Sequence, residues 1–305
     1  MKKMFMAVIA LMMTISASAQ FYIYYSDGTV AKVDSISMIA PSQGNDNPSQ
    51  GIGMFSVADD NTVTFSKGNL QYTQSTNTWS FAENQWDYIG TYNVTGGSVT
   101  SDSIYGDEKN GYVLADKIDL FGWSTAATNF GVSTSTSNND YIGSFVDWGT
   151  NKIGNDAPNT WRTLAIGEWD YLIHYRTNAN DLVGIAQVNG VNGLVVLPDN
   201  WTCPEGVIFK SGFHSSDEVA GYATYQTFTA GQWSKLEASG AVFLPAVGYR
   251  YGTDLFYVQY YGIYWSAIQD MGYYAHCLYF TFDEKRMYYD DRRSGLSVRL
   301  VKDLK

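Results

Sequence analysis

The last fifty residues constrain this chain most. Residues 249–301 hold 11 of its 24 tyrosines, and two textures alternate along them. Residues 263–266, 276–282 and 296–301 are short, largely apolar runs that read as buried strands. Between them, 258–261, 269–274 and 283–293 are polar, aromatic and charged, and read as connectors. Strands that carry sticky connectors suit a recognition surface, and none of these residues forms a nucleophile–base pair. Tyrosine adds rigid, amphipathic contact area at small entropic cost. The candidate contact residues are therefore Tyr257, Gln259 and Tyr260 in the first connector. Gln269, Asp270, Met271, Tyr273 and Tyr274 belong to the second, and Asp283, Glu284, Tyr288 and Tyr289 to the third. The competing reading is that half of the tyrosines pack sideways onto the core.

The other end of the chain reads as an export signal. Lys2 and Lys3 precede an apolar run over 5–13, and Ala17-Ser18-Ala19 makes a small-x-small cleavage site. A run of about ten apolar residues is too short to span a bilayer, and no other stretch approaches a transmembrane segment. The expectation is a secreted or cell-surface protein whose mature chain starts at Gln20. The formal charge is −11, and −13 without the two signal lysines. Such a chain repels phosphate backbones and anionic membranes, which excludes nucleic acid as a partner.

Residues 20–40 read as a β-hairpin module around the Asp27-Gly28 turn. Residues 41–51, without an apolar side chain apart from Pro, read as a flexible linker. The main domain then covers 52–305. Within it, 62–65, 70–72 and 79–81 are strand-like, and 92–159 is rich in Gly, Ser, Thr and Asn, with tryptophans placed to pin its loops. Helical spacing occurs twice. Trp169, Leu172 and Ile173 form one stripe in 167–176, and Trp233 and Leu236 another in 230–239. Thr229 and Gln232 have the spacing of a capping box, and Gly240 is placed to stop that helix. Residues 185–188, 194–197 and 241–244 read as strands, with Asn189-Gly190 and Asn192-Gly193 as turns.

In order, these blocks resemble a known family. Trp161-Arg162-Thr163-Leu164 with Glu168-Trp169-Asp170-Tyr171-Leu172 is similar to a segment of sulfatase-modifying, formylglycine-generating proteins. Gly193-Leu194-Val195-Val196-Leu197-Pro198, Phe243-Leu244-Pro245-Ala246, Gly248-Tyr249-Arg250, Tyr264-Trp265-Ser266 and Gly295-Leu296-Ser297-Val298-Arg299 follow. The series resembles the Fibrobacter succinogenes major paralogous domain, over about residues 55–301. The resemblance implies an α+β, C-type lectin-like fold with two helices, small antiparallel sheets and much irregular loop. It also implies a surface role, in some members as a binding protein diversified by a retroelement.

Three departures qualify it. Formylglycine-generating enzymes use a close cysteine pair, whereas Cys203 and Cys277 lie 74 positions apart. No asparagine follows Asn200, although retroelement targets retain several. Ala165-Ile166-Gly167 replaces the usual capping Ser or Thr, so the first helix is expected to fray at its start.

Other chemistry is weakly signalled. The two cysteines are compatible with a disulfide in an exported chain, but their spacing does not show that they meet, and two buried free thiols are the favoured reading. Asp283, Glu284, Asp290 and Asp291 have a calcium-binding composition, but interleaved Lys285, Arg286, Arg292 and Arg293 favour a solvated turn. His174, His214 and His276 fall on a helix, a loop and a strand. No HExxH or GxSxG motif occurs. Trp265, Arg250 and Arg299 read as structural. The expected function is ligand binding without enzymatic activity or cofactor, toward an extracellular glycan or protein. The alternatives are a structural surface-layer protein and, further off, a relative of the formylglycine-generating enzymes.

Overall fold

The computed structural model describes residues 21–24, 30–33, 53–89, 93–95, 98–100, 116–123, 130–133, 135–214, 221–252 and 254–304. The signal segment and the 41–51 linker lie outside the described residues. The chain divides into two units, Met1–Asn45 and Asp46–Lys305. In the first, β1 (Phe21–Tyr24) and β2 (Val30–Val33) pair antiparallel, with Tyr24 opposite Val30. The Asp27-Gly28 turn between them falls outside the described residues.

The second unit is a mixed α+β assembly of several small, mainly antiparallel sheets with few helices. It opens with β3 (Phe55–Ala58), β4 (Asn61–Phe65), β5 (Leu70–Thr73), β6 (Thr78–Phe81), β7 (Asn93–Thr95) and β8 (Ser98–Thr100). Then come β9 (Lys117–Ile118), β10 (Leu120–Phe121) and β11 (Arg162–Thr163), α1 (Ile166–Asp170), β12 (Val183–Val188) and β13 (Val191–Val196). After α2 (Tyr222–Tyr225) and β14 (Thr227–Phe228) come α3 (Ala230–Ala238), β15 (Val242–Pro245), β16 (Tyr249–Tyr251) and β17 (Asp254–Phe256). The last strands are β18 (Gly262–Gln269), β19 (Tyr274–Phe280), β20 (Lys285–Asp291), β21 (Leu296–Ser297) and β22 (Leu300–Asp303).

Turn chemistry fixes the β12–β13 hairpin. Asn189 and Gly190 both have positive φ, +48° and +84°, as a two-residue hairpin turn requires. Asn192-Gly193, expected to be a second turn, instead lies inside β13, opposite Gln187 and Ala186. Glycine is needed there for close approach, because a Cβ at 193 would stand 2.4 Å from the Leu244 carbonyl of β15.

The expected helical stripes are buried, with adjustments. Trp169, Leu172 and Ile173 are all fully covered, but the helix is α only to Asp170 and continues as a π-turn over Tyr171–Tyr175. Ala165 has no side-chain acceptor, so only half of a capping box exists. Glu168 reaches back to the Ala165 N–H at 2.7 Å and is itself gripped by the Arg162 fork. That contact satisfies the Ala165 N–H, while the Glu168 N–H that a Ser or Thr would have bonded turns to the Ala165 carbonyl at 3.1 Å. In α3 the full box forms between Thr229 and Gln232, and Gly240 follows at φ +89°. The described residues hold three α-helices rather than two, the extra one being the single turn α2.

The five-stranded sheet β10-β21-β18-β19-β20 organises the unit. Tyr264, Leu278 and Phe280 on one face join a core containing Trp169 and Leu172 from the first helix. Ile263, Trp265, Cys277 and Tyr279 on the other face join a second core containing Trp79, Trp123 and Trp148. Because both faces are covered, β18 and β19 read as continuous rather than alternating apolar runs. The tryptophans do pin loops. Trp123 Nε1 donates to the Ser266 carbonyl, Trp148 to Phe130 and Trp265 to Phe121.

Two boundary expectations are corrected. The 283–293 connector is mostly strand β20, the edge of the sheet, paired to β19 from Lys285 opposite Phe280 to Asp291 opposite Tyr274. Its alternation of exposed and half-buried side chains lacks the apolar pattern that marks a strand in sequence. Residues 296–301 are not one strand. They split into β21 in this sheet and β22 in the sheet β11-β22-β4-β3, with Val298 and Arg299 buried between them.

Candidate functional site

Alternation along β19 and β20 distributes the tyrosines. Successive side chains point to opposite faces of a strand, so Tyr279 and Tyr288 share one face with Cys277. Tyr274 and Tyr289 share the other with His276. The β16–β17 hairpin lies beside the first of these faces. Its central residue Arg250 points inward and donates to the carbonyls of Leu120 and Gly252. That leaves Tyr249 and Tyr251 facing outward.

The rings form an unbroken ladder. Phe256 stacks on Tyr249 (centroids 5.2 Å apart), Tyr249 contacts Tyr257 (6.1 Å), and Tyr257 stacks on Tyr261 (4.3 Å). Tyr261 meets Tyr279 (5.3 Å) and Tyr279 meets Tyr288 (5.9 Å). Tyr288 then lies flat against Tyr289 (5.1 Å, 10° between planes), which meets Tyr274 (5.4 Å) around the sheet edge. Aromatic pairs at such distances favour each other by about 0.5–1.5 kcal/mol beyond burial, so the ladder is stiff before any ligand arrives.

A cleft of about 530 Å³ opens beside the ladder, lined by Tyr249, Tyr251, Tyr261, Tyr279, Tyr288 and Phe256, with Arg286, Asp290 and Ser294 among them. The Arg286 guanidinium lies over both rings, 4.9 Å from the Tyr279 centroid and 4.7 Å from that of Tyr288. Asp290 Oδ1 accepts from Ser294 Oγ (2.9 Å) and from the Asp291 N–H (2.7 Å). Burial pushes the Asp290 carboxyl above the ordinary carboxylate range, against the pull of those bonds. Burial, with Asp290 nearby, pushes the Tyr249 phenol up to about 12.

The twelve residues read from the sequence do not form one patch. Tyr257, Tyr274, Tyr288 and Tyr289 are exposed members of the ladder, and Tyr288 lines the cleft. Gln269, Asp270, Met271 and Tyr273 sit at the β18–β19 end of the sheet, where Met271 is 85% exposed. Asp283 and Glu284 turn β19 into β20 at the opposite end, roughly 20 Å away by strand rise. Tyr260 is exposed beside the ladder, and its carbonyl accepts from the Tyr222 hydroxyl. Gln259 is engaged internally. Its Oε1 accepts from the Asn192 N–H at 2.7 Å and its Nε2 donates to the Tyr88 hydroxyl, bolting the 257–261 turn to β13.

Sequence reading missed Tyr249, Tyr251, Phe256, Tyr261, Tyr279, Arg286, Asp290 and Ser294. The available signal was the aromatic spacing at 249, 251 and 256, which is period two on either side of a tight turn.

Other expectations are placed as follows. Cys203 is exposed, Cys277 is buried, and both thiols are free. Arg250 and Arg299 are fully buried. Arg299 donates to the side-chain oxygens of Gln85 and Asn69. His174 contacts Asp170, His214 contacts the Gly221 carbonyl, and His276 lies 3.7 Å from Asp270, each with separate partners. Among the described residues, no group of three or more His, Cys, Asp or Glu side chains is placed to hold a metal. No helix among them is long and apolar enough to cross a membrane.

No family model, no curated protein and no solved structure matches this chain.

Proposed function

We propose that this chain is an exported, surface-displayed recognition protein without catalytic activity, and that it engages its ligand at the tyrosine cleft. The observation that carries the reading is the ring ladder from Phe256 to Tyr274, with a cleft beside it that holds one guanidinium and one carboxylate. Rigid aromatic anchors with a few placed polar groups are what a pre-organised site uses. The resemblance to the formylglycine-generating type of C-type lectin-like domain supports the same placement, toward the C-terminus.

The test screens the immobilised full chain against a glycan array and a panel of purified extracellular proteins. It then repeats any binding with Tyr257→Ala and Tyr288→Ala. The proposal expects at least tenfold weaker binding from chains that still melt cooperatively, each losing about 1–3 kcal/mol for the two ring contacts removed. Binding that survives both substitutions would refute the placement.

The edge strand β20 favours a second reading, a structural surface protein. It leaves seven residues unpaired on one side, a template for another copy. Size-exclusion chromatography separates the two readings. Concentration-dependent assembly that Tyr288→Ala and Tyr289→Ala abolish would favour the structural one.

A further inference from the structure

We infer that the cleft takes a neutral pyranose ring of a glycan, with Asp290 accepting from its hydroxyls and Arg286 donating to them, without a metal ion. This rests on the recognition reading and narrows it to a ligand class.

The charges in the cleft argue for neutrality. A cationic ligand would need free aromatic faces, as ammonium-binding cages provide. Here the protein's own cations already lie over three of the rings, and a ligand cation would be repelled by them. Arg286 covers Tyr279 and Tyr288, and the Arg293 guanidinium is 5.0 Å from the Tyr251 ring. An anionic ligand would meet Asp290 in the same cleft, on a chain of net charge −11. The cation it would seek is also partly answered, since Glu284 stands 3.7 Å from Arg286.

The shape and the polar groups argue for a ring with one apolar face and many hydroxyls. Asp290 is oriented through Oδ1 alone, and Oδ2 has no partner among the described residues. Arg286 lies over two rings and meets Glu284 only through Nη2, at 3.7 Å, so N–H groups remain to donate to a hydroxyl. An acceptor and a donor four positions apart on β20, about 13 Å by strand rise, suit hydroxyls on opposite sides of a sugar ring, each of which both donates and accepts. Tyr249 and Phe256, stacked with planes 20° apart, offer an aromatic wall for the C–H face. The volume lies in the range of small-ligand sites, roughly 300–1,000 Å³. Since the polar pair comes from the protein, calcium is not required to bridge the hydroxyls.

The experiment is saturation-transfer difference NMR on the full chain with EDTA present. The probes are the methyl glycosides of glucose, galactose, mannose and N-acetylglucosamine, with methyl glucuronide and tetramethylammonium as charged comparisons. The expected result is saturation of at least one neutral glycoside and of neither charged probe. Asp290→Asn should weaken that binding at least tenfold at an unchanged melting temperature, because Asn keeps the Oδ1 acceptor for Ser294 and Asp291 and changes only the ligand-facing atom. Saturation of no neutral glycoside, preference for either charged probe, or indifference to Asp290→Asn would each overturn the inference. If it is overturned while an array ligand still depends on Tyr257 and Tyr288, the broader recognition reading stands. If neither substitution affects any ligand, both fail.

Discussion

Asp119→Asn is expected to stabilise the protein at pH 8 and to destabilise it at pH 4. Asp119 lies between β9 and β10, fully buried, near the inward-pointing Arg250 that anchors a wall of the cleft. Its Oδ2 accepts from the Ile89 N–H at 2.9 Å, and its Oδ1 has no partner among the described residues. Burial pushes its carboxyl up to about 7, against the pull of that bond and of Arg250. The folded state therefore holds the proton more tightly than the unfolded state. The stability this lends is complete below the ordinary carboxylate range and is lost as pH rises from about 4 to about 7. A rise of that size corresponds to at most about 4 kcal/mol. Asn retains the bond from Ile89 but orphans an amide, at a cost of about 1–3 kcal/mol. The variant should gain about 1–3 kcal/mol at pH 8 and lose about 1–3 kcal/mol at pH 4, where the parent's carboxyl is already neutral and only the amide cost remains. Urea melts of both proteins at pH 4, 6 and 8 measure this, and their difference cancels the titrations they share. A variant that is less stable at pH 8 would show that attraction between Asp119 and Arg250 outweighs the burial penalty.

Gln259→Ala removes both bolts of the 257–261 turn and should cost about 1–3 kcal/mol, read by urea melts, while weakening any cleft ligand through misplaced Tyr257 and Tyr261. Tyr273→Ala should change stability by less than about 0.5 kcal/mol, because its exposed ring makes no ladder contact. Glu168→Ala loses the helix-start bond and the Arg162 fork, and should cost about 1–2 kcal/mol. Arg162 also holds the Asp303 carboxyl below the ordinary range. Arg162→Ala should therefore cost most near neutral pH, and its difference from the parent should narrow in acid, since a depressed carboxyl contributes stability above its unfolded pKa and loses it as pH drops through its folded one; urea melts at pH 7 and pH 3 measure this. A thiol reagent should titrate Cys203 rapidly and Cys277 only after unfolding, because burial pushes the Cys277 thiol well up.

Much of the framework was legible because local rules and tertiary packing agree. The Trp169 and Trp233 stripes, the Thr229–Gln232 box and the Asn189-Gly190 turn all formed as their residues dictate. Apolar continuity in β18 and β19 marked a sheet covered on both faces. β20 escaped because an edge strand rich in Lys, Arg, Asp and Tyr carries the composition of a turn, and only its pairing with β19 makes it a strand. Gly193 looked like half of a turn, but the chain spends it on close approach to β15.

The site was half legible. Tyrosine density located the region, and Tyr257, Tyr274, Tyr288 and Tyr289 lie on the ladder. The cleft itself required the β16–β17 and β19–β20 hairpins to come together, and nothing local encodes that. Asp290 and Arg286 were read as solvated charge for the same reason. Their environment is made by Tyr249, Tyr279 and Ser294, which only the fold brings near.

The most direct measurement is aromatic NMR of the full chain with ¹³C-labelled tyrosine, titrated with a ligand from the array. The account predicts that the ring signals of Tyr249, Tyr261, Tyr279 and Tyr288 move together and saturably, while those of Tyr273 and of the core residues Tyr141 and Tyr264 stay in place. A bound ligand that leaves the four cleft rings unmoved would contradict it.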